Sequence, residues 1–328
     1  MIAVLGAAGT IGRAVTGFLE CWGAPFKRLD FRLDGDEHVD VTDRASLRAG
    51  LEGVNVVVNS VDYRFNLDVM RGALAVAADY VDLGGLFHMT RRQLELDDEF
   101  RAAGRTAIVG LGSAPGKTNL LARLAAERVG GKPVAMEIWA ASHDPAANGH
   151  PFPAPYSVRT LLDELSMSPV VVRGGRLAEM EPLSGRKARR FPAPVGEREG
   201  IYTLHSELAT LPEGYPTLEE ASFRLCLAPG LIEKLLALPE GEEPEPYTQS
   251  TASVAAHVVE ARNGDGRAVT GTSLTRGGSA KSTSEPPARA AVELLEARLG
   301  TAGVRPPEDA IPDAEAFLAL LDTDVTWS

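Results

Sequence analysis

The residues best suited to chemistry stand at the start of the chain, where Gly6-Ala7-Ala8-Gly9-Thr10-Ile11-Gly12 follows an apolar run from Ile2. Glycines at this spacing let a strand turn tightly into a helix and let backbone N–H groups approach a pyrophosphate without Cβ interference. The helix start adds unpaired N–H groups and the positive end of its dipole. Gly6, Gly9, Thr10, Ile11 and Gly12 are therefore predicted to hold the phosphates of a dinucleotide. Asp30, eighteen residues past Gly12, is predicted to accept the ribose hydroxyls, which makes NAD the expected cofactor. Arg32 could reach a 2′-phosphate instead, which would make it NADP. Asp40 is placed either near the adenine or as a plain helix cap.

Further candidates sit where other strands should end. Asn59 and Ser60 close the run Val54 to Val61 and are expected at the cofactor; Tyr63, Phe65 and Asn66 follow, with the next run ending in Asp82, Gly84 and Gly85. Ligands of open α/β sheets bind at carboxyl ends of strands, so this group is expected to touch nicotinamide or substrate, Tyr63 and Asp82 catalytically. His88 and His205 are candidate proton carriers or substrate contacts, because histidine titrates near neutrality. Lys117 follows Pro115-Gly116 and is expected at a helix start, where its charge could hold a substrate carboxylate. Arg159 and Arg224 are its substitutes in that role.

Other chemistries fit poorly. Gly112 to Thr118 resembles a nucleoside-triphosphate loop, but the required first glycine falls on Leu111. Short-chain dehydrogenases share the glycine turn but need a tyrosine four residues before a lysine, and none of the six tyrosines qualifies. His143 and His150 lack ligand-like spacing, so no metal is expected, and no Gly-x-Ser-x-Gly elbow is present.

The elements that position these residues follow from periodicity. Ile2 to Gly6, Phe26 to Phe31, Val54 to Val61, Tyr80 to Gly84 and Thr106 to Gly112 read as strands. Ile11 to Cys21, Arg44 to Leu51 (capped by Thr42), Asn66 to Ala78 and Thr90 to Ala103 read as helices, and another opens at Ser113-Ala114-Pro115-Gly116. The alternation predicts an α/β fold with a Rossmann-type doubly wound parallel sheet over residues 1–115, completed by 283–328 with a helix from Pro287 to Leu299. Residues 116–282 have longer alternating strands, such as Met136 to Ala141 and Ser253 to Glu260, and a hairpin at Asn263-Gly264-Asp265-Gly266. They predict an α+β substrate and dimerisation domain with a mostly antiparallel sheet. Pro239 to Pro246 is expected to be a solvent loop, and Arg186 to Arg190 a solvated strand face. Cys21 and Cys226 are expected to be buried, reduced thiols. A net charge of −12 argues against nucleic acid, and no apolar run approaches the roughly 18 residues needed for a membrane span. With no secretory signal in view, a cytoplasmic homodimer acting on a small molecule is expected.

Three segments carry a family resemblance: Val56 to Asn66, Tyr80-Val81-Asp82-Leu83-Gly84-Gly85, and Gly110 to Leu121. Together with Leu204 to Pro212 and Gly303 to Glu308 they resemble the saccharopine dehydrogenase-like family, and within it most nearly the lysine 6-dehydrogenases. The resemblance implies an NAD(P)-dependent oxidoreductase acting at a carbon–nitrogen bond of an amino acid, by oxidative deamination of a side-chain amine. The alternatives are an NADPH-dependent imine reductase of the saccharopine or carboxynorspermidine type, and a non-catalytic NAD sensor. Lys117 departs from the lysine 6-dehydrogenase pattern, which often has an apolar residue there.

Overall fold

The computed structural model describes residues 1–147, 150–239, 242, 244 and 247–328. In chain order its first elements are β1 (Ile2–Leu5), α1 (Thr10–Cys21), β2 (Phe26–Leu29), α2 (Arg44–Gly50), β3 (Val56–Asn59), α3 (Asn66–Ala75), β4 (Asp79–Asp82), α4 (Phe87–Leu94), α5 (Asp97–Ala102) and β5 (Thr106–Ile108). There follow α6 (Lys117–Arg128), β6 (Pro133–His143), α7 (Val158–Ser166), β7 (Val170–Arg173), β8 (Arg176–Glu179), β9 (Lys187–Arg190), β10 (Glu197–Tyr202), α8 (Glu207–Gly214), β11 (Glu220–Cys226) and α9 (Leu231–Leu236). The chain ends with β12 (Val254–Asn263), β13 (Ala268–Arg276), α10 (Gly278–Leu295), β14 (Gly303–Arg305), α11 (Pro307–Ala310), α12 (Ala314–Ala319) and β15 (Asp324–Trp327).

Two compact units divide these elements, one of residues 1–117 and 283–317, the other of 118–282 and 318–328. The first holds a parallel sheet in the order β14-β5-β4-β3-β1-β2. Its central strands β1 and β3 are buried along their whole length, as expected of a sheet covered on both faces. Helix α1 buries Val15 and Leu19, four residues apart on one stripe, together with Gly12 and Thr16. The chain leaves β1 toward β2 and returns to β3 on the other side, so the order reverses beside β1. The carboxyl ends of β1 and β3 therefore border the crevice where ligands of open α/β sheets bind.

A buried polar network closes that edge. Asp82, at the end of β4, accepts the N–H groups of Gly84 and Gly110 on Oδ1, and the Tyr80 hydroxyl and Gln93 amide on Oδ2. Asn59 donates to Asn66 and to Tyr80, and Asn66 donates to the Gly84 carbonyl and to Gln93. Burial pushes the Asp82 carboxyl above its ordinary value, while its four donors pull the other way.

The second unit is built on a nine-stranded sheet, β15-β13-β12-β6-β11-β10-β9, with β7 and β8 paired beside β11. Its pairings are antiparallel except β6 with β11. Trp139 of β6 centres an apolar cluster with Cys226, Phe191, Val195, Val254, Ala256 and Val258. The basic run lies on β9 and is ion-paired rather than only solvated: Lys187 reaches Glu137, and Arg189 reaches Glu260. The hairpin at Asn263 joins β12 to β13 as expected.

Several boundaries differ from the sequence expectations. Thr90 to Ala103 forms two helices, α4 and α5, with Leu96 and Phe100 both buried beyond the break. Residues 113–116 are a loop, and α6 begins at Lys117. The side chain of Asp43, not Thr42, caps α2 by accepting the Ala45 N–H. Helix α10 starts nine residues before Pro287 and carries Pro286 and Pro287 inside it, because Ser282, Ser284 and Ala288 are all buried. Residues 318–328 join the second unit, where β15 pairs with β13. Cys21 is exposed, at the end of α1, while Cys226 is buried. Much of Pro239 to Pro246 lies outside the described residues. Among those described, no helix is long and apolar enough to cross a membrane.

The Asp82 network generates a stability prediction. Asp82→Ala would orphan four buried donors at about 1–3 kcal/mol each, so urea unfolding of the purified protein should show a loss of at least about 3 kcal/mol. A loss under about 1 kcal/mol would mean that the network does not hold this edge.

Candidate active site

The glycine turn sits at the reversal point. Gly6 has φ +79°, and a Cβ there would lie 2.7 Å from the Ser60 carbonyl oxygen; one on Gly12 would lie 2.1 Å from the Gly6 oxygen. Neither position admits a side chain. Gly9 has an ordinary φ of −78°, and its added Cβ would lie 3.2 Å from Gly6 O and 3.5 Å from Arg32 Nη2. Its bare backbone opens the helix, with exposed Thr10 and half-buried Ile11 in the first turn.

Asp30 is committed within the protein. Its Oδ2 accepts the Ala8 N–H at 3.0 Å and Arg32 Nη2 at 2.9 Å; its Oδ1 accepts the Arg32 N–H and Nε, each at 2.9 Å. Where the sequence expects this carboxylate at the ribose hydroxyls, its lone pairs here hold the glycine turn and fork onto the guanidinium. The Asp30 side chain is 2% exposed and the Arg32 side chain 49% exposed, so the acid is the buried support and the cation faces outward. Burial works to raise Asp30, and the Arg32 contacts outweigh it, holding the carboxyl below its ordinary value.

The other expected residues divide. Asp40 accepts the N–H and hydroxyl of Thr42 in the turn that precedes α2, whose cap is Asp43. Asn59 is buried in the Asp82 network, and Ser60 donates to the Leu5 carbonyl, so both pin strand ends. Asp82, expected to be catalytic, spends both oxygens on structural donors and is a positioning residue. Asn66 shares that burial; Tyr63 and Phe65 are half-buried, with the Arg64 guanidinium over the Tyr63 ring. Gly84 has φ +106°, where a Cβ would lie 2.5 Å from Pro115, and one on Gly85 would lie 2.9 Å from Met89. His88 is exposed on α4, edge-on to Phe87. Lys117 is fully buried at the first position of α6. Arg224 is buried and engaged by Gly185, Ser222 and Tyr202, which removes it as a carboxylate anchor.

The second unit holds a buried titratable cluster around His205. Nδ1 of His205 lies 2.5 Å from Glu207 Oε2, and the Thr118 hydroxyl donates to Glu207 Oε1 at 2.6 Å. The imidazole stacks on Phe223 with centroids 3.6 Å apart and planes 9° from parallel. Beside it, Glu164 of α7 accepts the Tyr156 hydroxyl at 2.6 Å. His205 is 5% exposed, Glu164 4% and Glu207 0%. Burial pushes Glu164 up to about 7, with His205 pulling it down. Burial alone would lower His205, but the Glu207 and Glu164 carboxylates more than reverse this and hold it above its ordinary value. Sequence reasoning missed Glu207, Glu164, Tyr156 and Thr118. The available signal was Glu164 itself, an acid on the buried stripe of α7 with Leu161 and Leu165. Among the described residues no group of side chains could hold a metal ion.

Glu164 is held above its ordinary value of 4.5, so its contribution to stability is present below that pH and is lost as pH rises through about 7. Glu164→Gln should therefore raise the melting temperature relative to the parent at pH 8 and lose that advantage at pH 5. A difference independent of pH would show that Glu164 does not titrate in this range.

Comparison with known proteins agrees with this architecture. Residues 35–108, which begin beyond the glycine turn, match the family model of the saccharopine dehydrogenase NADP binding domain. A carboxyaminopropylagmatine dehydrogenase from Synechocystis is 23% identical over 192 residues, covering 57% of this chain and 48% of that protein, so the match spans about half of the relative. Apo saccharopine dehydrogenase (L-Glu forming) from Saccharomyces cerevisiae superposes with a TM-score of 0.68 at 16% identity, over 100% of this chain and 99% of that one. Residues 35–108 of the first unit are thus similar to the saccharopine dehydrogenase NADP binding domain, and the chain has the fold of the yeast saccharopine dehydrogenase structure.

Proposed function

We propose that the chain is an NAD(P)-dependent oxidoreductase acting at a carbon–nitrogen bond of an amino acid. The observation that carries this reading is the bare Gly9 backbone at the start of α1, bordering the reversal point of the sheet, with the Arg32 guanidinium held beside it. The names of the two similar dehydrogenases, for saccharopine and for carboxyaminopropylagmatine, support the same reaction class. Hydride transfer needs little covalent help from the protein: the fold binds and orients the dinucleotide, and side chains move the proton at nitrogen.

Two finer readings divide on the cofactor. Oxidative deamination of a side-chain amine, as in lysine 6-dehydrogenases, goes with NAD; reductive closure of an imine between two metabolites goes with NADPH. Arg32 favours the second. A half-exposed guanidinium, braced by a buried carboxylate at the end of β2, is suited to a 2′-phosphate, which can accept two parallel N–H bonds from it.

The test is cofactor binding by calorimetry. The parent should prefer NADPH to NADH, and Arg32→Ala should weaken NADPH roughly 10- to 100-fold, the loss of a charge-assisted contact of about 1.5–3 kcal/mol, with NADH unchanged. A parent that prefers NADH, with Arg32→Ala altering neither affinity, would return the recognition to Asp30 and the reading to oxidative deamination. Gly9→Val should abolish binding of both cofactors while the protein stays folded by circular dichroism, since its φ of −78° suits any residue and only the 3.2 Å approach of its Cβ to the Gly6 oxygen must relax, whereas its side chain would occupy the pyrophosphate's place. Undiminished affinity in that variant would remove the cofactor assignment.

A further inference from the structure

Beside the glycine turn stands an aromatic ring that the fold does not use. Phe31, two residues past the end of β2, is 66% exposed, the most of any large hydrophobic side chain among the described residues. A lone exposed ring is ordinary on a protein surface. This one differs because the turn beneath it is pinned and its neighbour is aimed. The Leu33 N–H closes the turn onto the Asp30 carbonyl, the Asp30 N–H donates to the Glu37 carbonyl, and the Val39 N–H returns to the Asp30 carbonyl. The next residue, Arg32, has its own N–H fixed on the Asp30 carboxylate. The ring therefore stands in water on a closed turn, not on a loose segment.

Three groups follow one another across this corner of the first unit. A Cβ built on Gly9 would lie 3.5 Å from Arg32 Nη2, and the Arg32 guanidinium carbon lies 5.4 Å from the centroid of the Phe31 ring. The order is bare backbone at a helix start, then an oriented cation, then an exposed aromatic face. The adenosine half of a 2′-phosphorylated dinucleotide presents its parts in the same order: a pyrophosphate, a ribose carrying a phosphate, and a flat purine. Anions suit the helix start and the guanidinium. A purine suits the phenyl face, because base and ring both withdraw apolar surface from water when they stack.

We propose that Phe31 is the adenine platform of the dinucleotide site: the base stacks on its exposed face, and Arg32, held beside the same ring, takes the 2′-phosphate. This deepens the cofactor reading above and rests on it. All the groups involved belong to the first unit, and both side chains open to solvent. The two residues divide the work. A stack reads the flatness of a base and not the substituents on the ribose, so Phe31 adds affinity that NADH and NADPH share. The choice between them falls to Arg32, whose contact only the phosphorylated cofactor can make. Because the turn already holds the ring in place, little further ordering is needed when a base arrives.

Calorimetry with NADPH, NADH and ADP-ribose on the parent, Phe31→Ala and Phe31→Trp tests this division. Phe31→Ala should weaken all three ligands by a common factor of about 5- to 100-fold, the range of one base–aromatic stack. It should melt with the parent, because a ring two-thirds in water holds little of the fold. Phe31→Trp should bind all three at least as tightly as the parent, and the emission it adds should be quenched as ADP-ribose is titrated in. A loss confined to NADPH would show that the ring only braces Arg32, and would overturn the proposal. Unchanged affinities in Phe31→Ala, or an added emission that saturating ADP-ribose leaves unmoved, would overturn it too. A parent that binds none of the three ligands would instead overturn the cofactor reading, and the platform with it.

Discussion

The first unit depends on one close approach of backbone to backbone. The Gly6 carbonyl oxygen occupies the place that a Cβ on residue 12 would need, 2.1 Å away, while the Ser60 carbonyl crowds Gly6 from the other side at 2.7 Å. Neither contact is relieved by rotating a side chain, because the opposing atoms are main chain. With both glycines in place, α1 seats directly on the end of β1, and the end of β3 presses against the turn. Ala8, between the glycines, then presents its N–H to Asp30 from the neighbouring strand. A substitution at either glycine would separate these elements before it touched a ligand.

Much of this was legible because it depends on residue type rather than on partners. Only glycine tolerates the crowded positions, and runs such as Val56 to Val58 read as buried strand wherever they occur. What could not be read is where polar side chains direct their hydrogen bonds. Asp30, Asn59 and Asp82 were all placed at a ligand-binding edge, and they are there, but their oxygens are occupied by Arg32, Val61, Gly84 and Gly110. An acceptor twenty-eight residues from its donor, as Asp82 is from Gly110, leaves no trace in local periodicity. The split of α4 from α5 escaped for a related reason: no glycine or proline marks the break between Leu94 and Asp97, and burial of Leu96 and Phe100 decides it. Glu207 and Glu164 stand 43 positions apart in the sequence, yet both act on His205 and on each other.

The two units each bury carboxylates, and their surroundings differ. Asp82 is surrounded by donors that hold their protons tightly: two backbone amides, a primary amide and a tyrosine hydroxyl pushed well above its ordinary value. Each of these donors is committed to the Asp82 carboxyl, so the network fixes geometry. Around His205 the partners can exchange a proton, since Glu164 lies at about 7 and the imidazole is held above its own ordinary value by Glu207. Burying ionisable groups costs desolvation energy whatever their use, and a cluster kept despite that cost is a candidate functional site.

The pairing of Asp30 with Arg32 follows the same logic at the surface. An ion pair whose cation is half exposed contributes little to stability, typically no more than about 1 kcal/mol. Its consequence is aim. Arginine carries about 2 kcal/mol of rotamer entropy, and a guanidinium already forked onto a buried carboxylate loses much of that freedom before any ligand arrives. Because the same carboxylate holds the Ala8 N–H, the cation is indexed to the glycine turn and not merely to its own strand. The acid thus acts through the cation it orients, and the outward-facing group at this end of β2 is a guanidinium rather than a carboxylate.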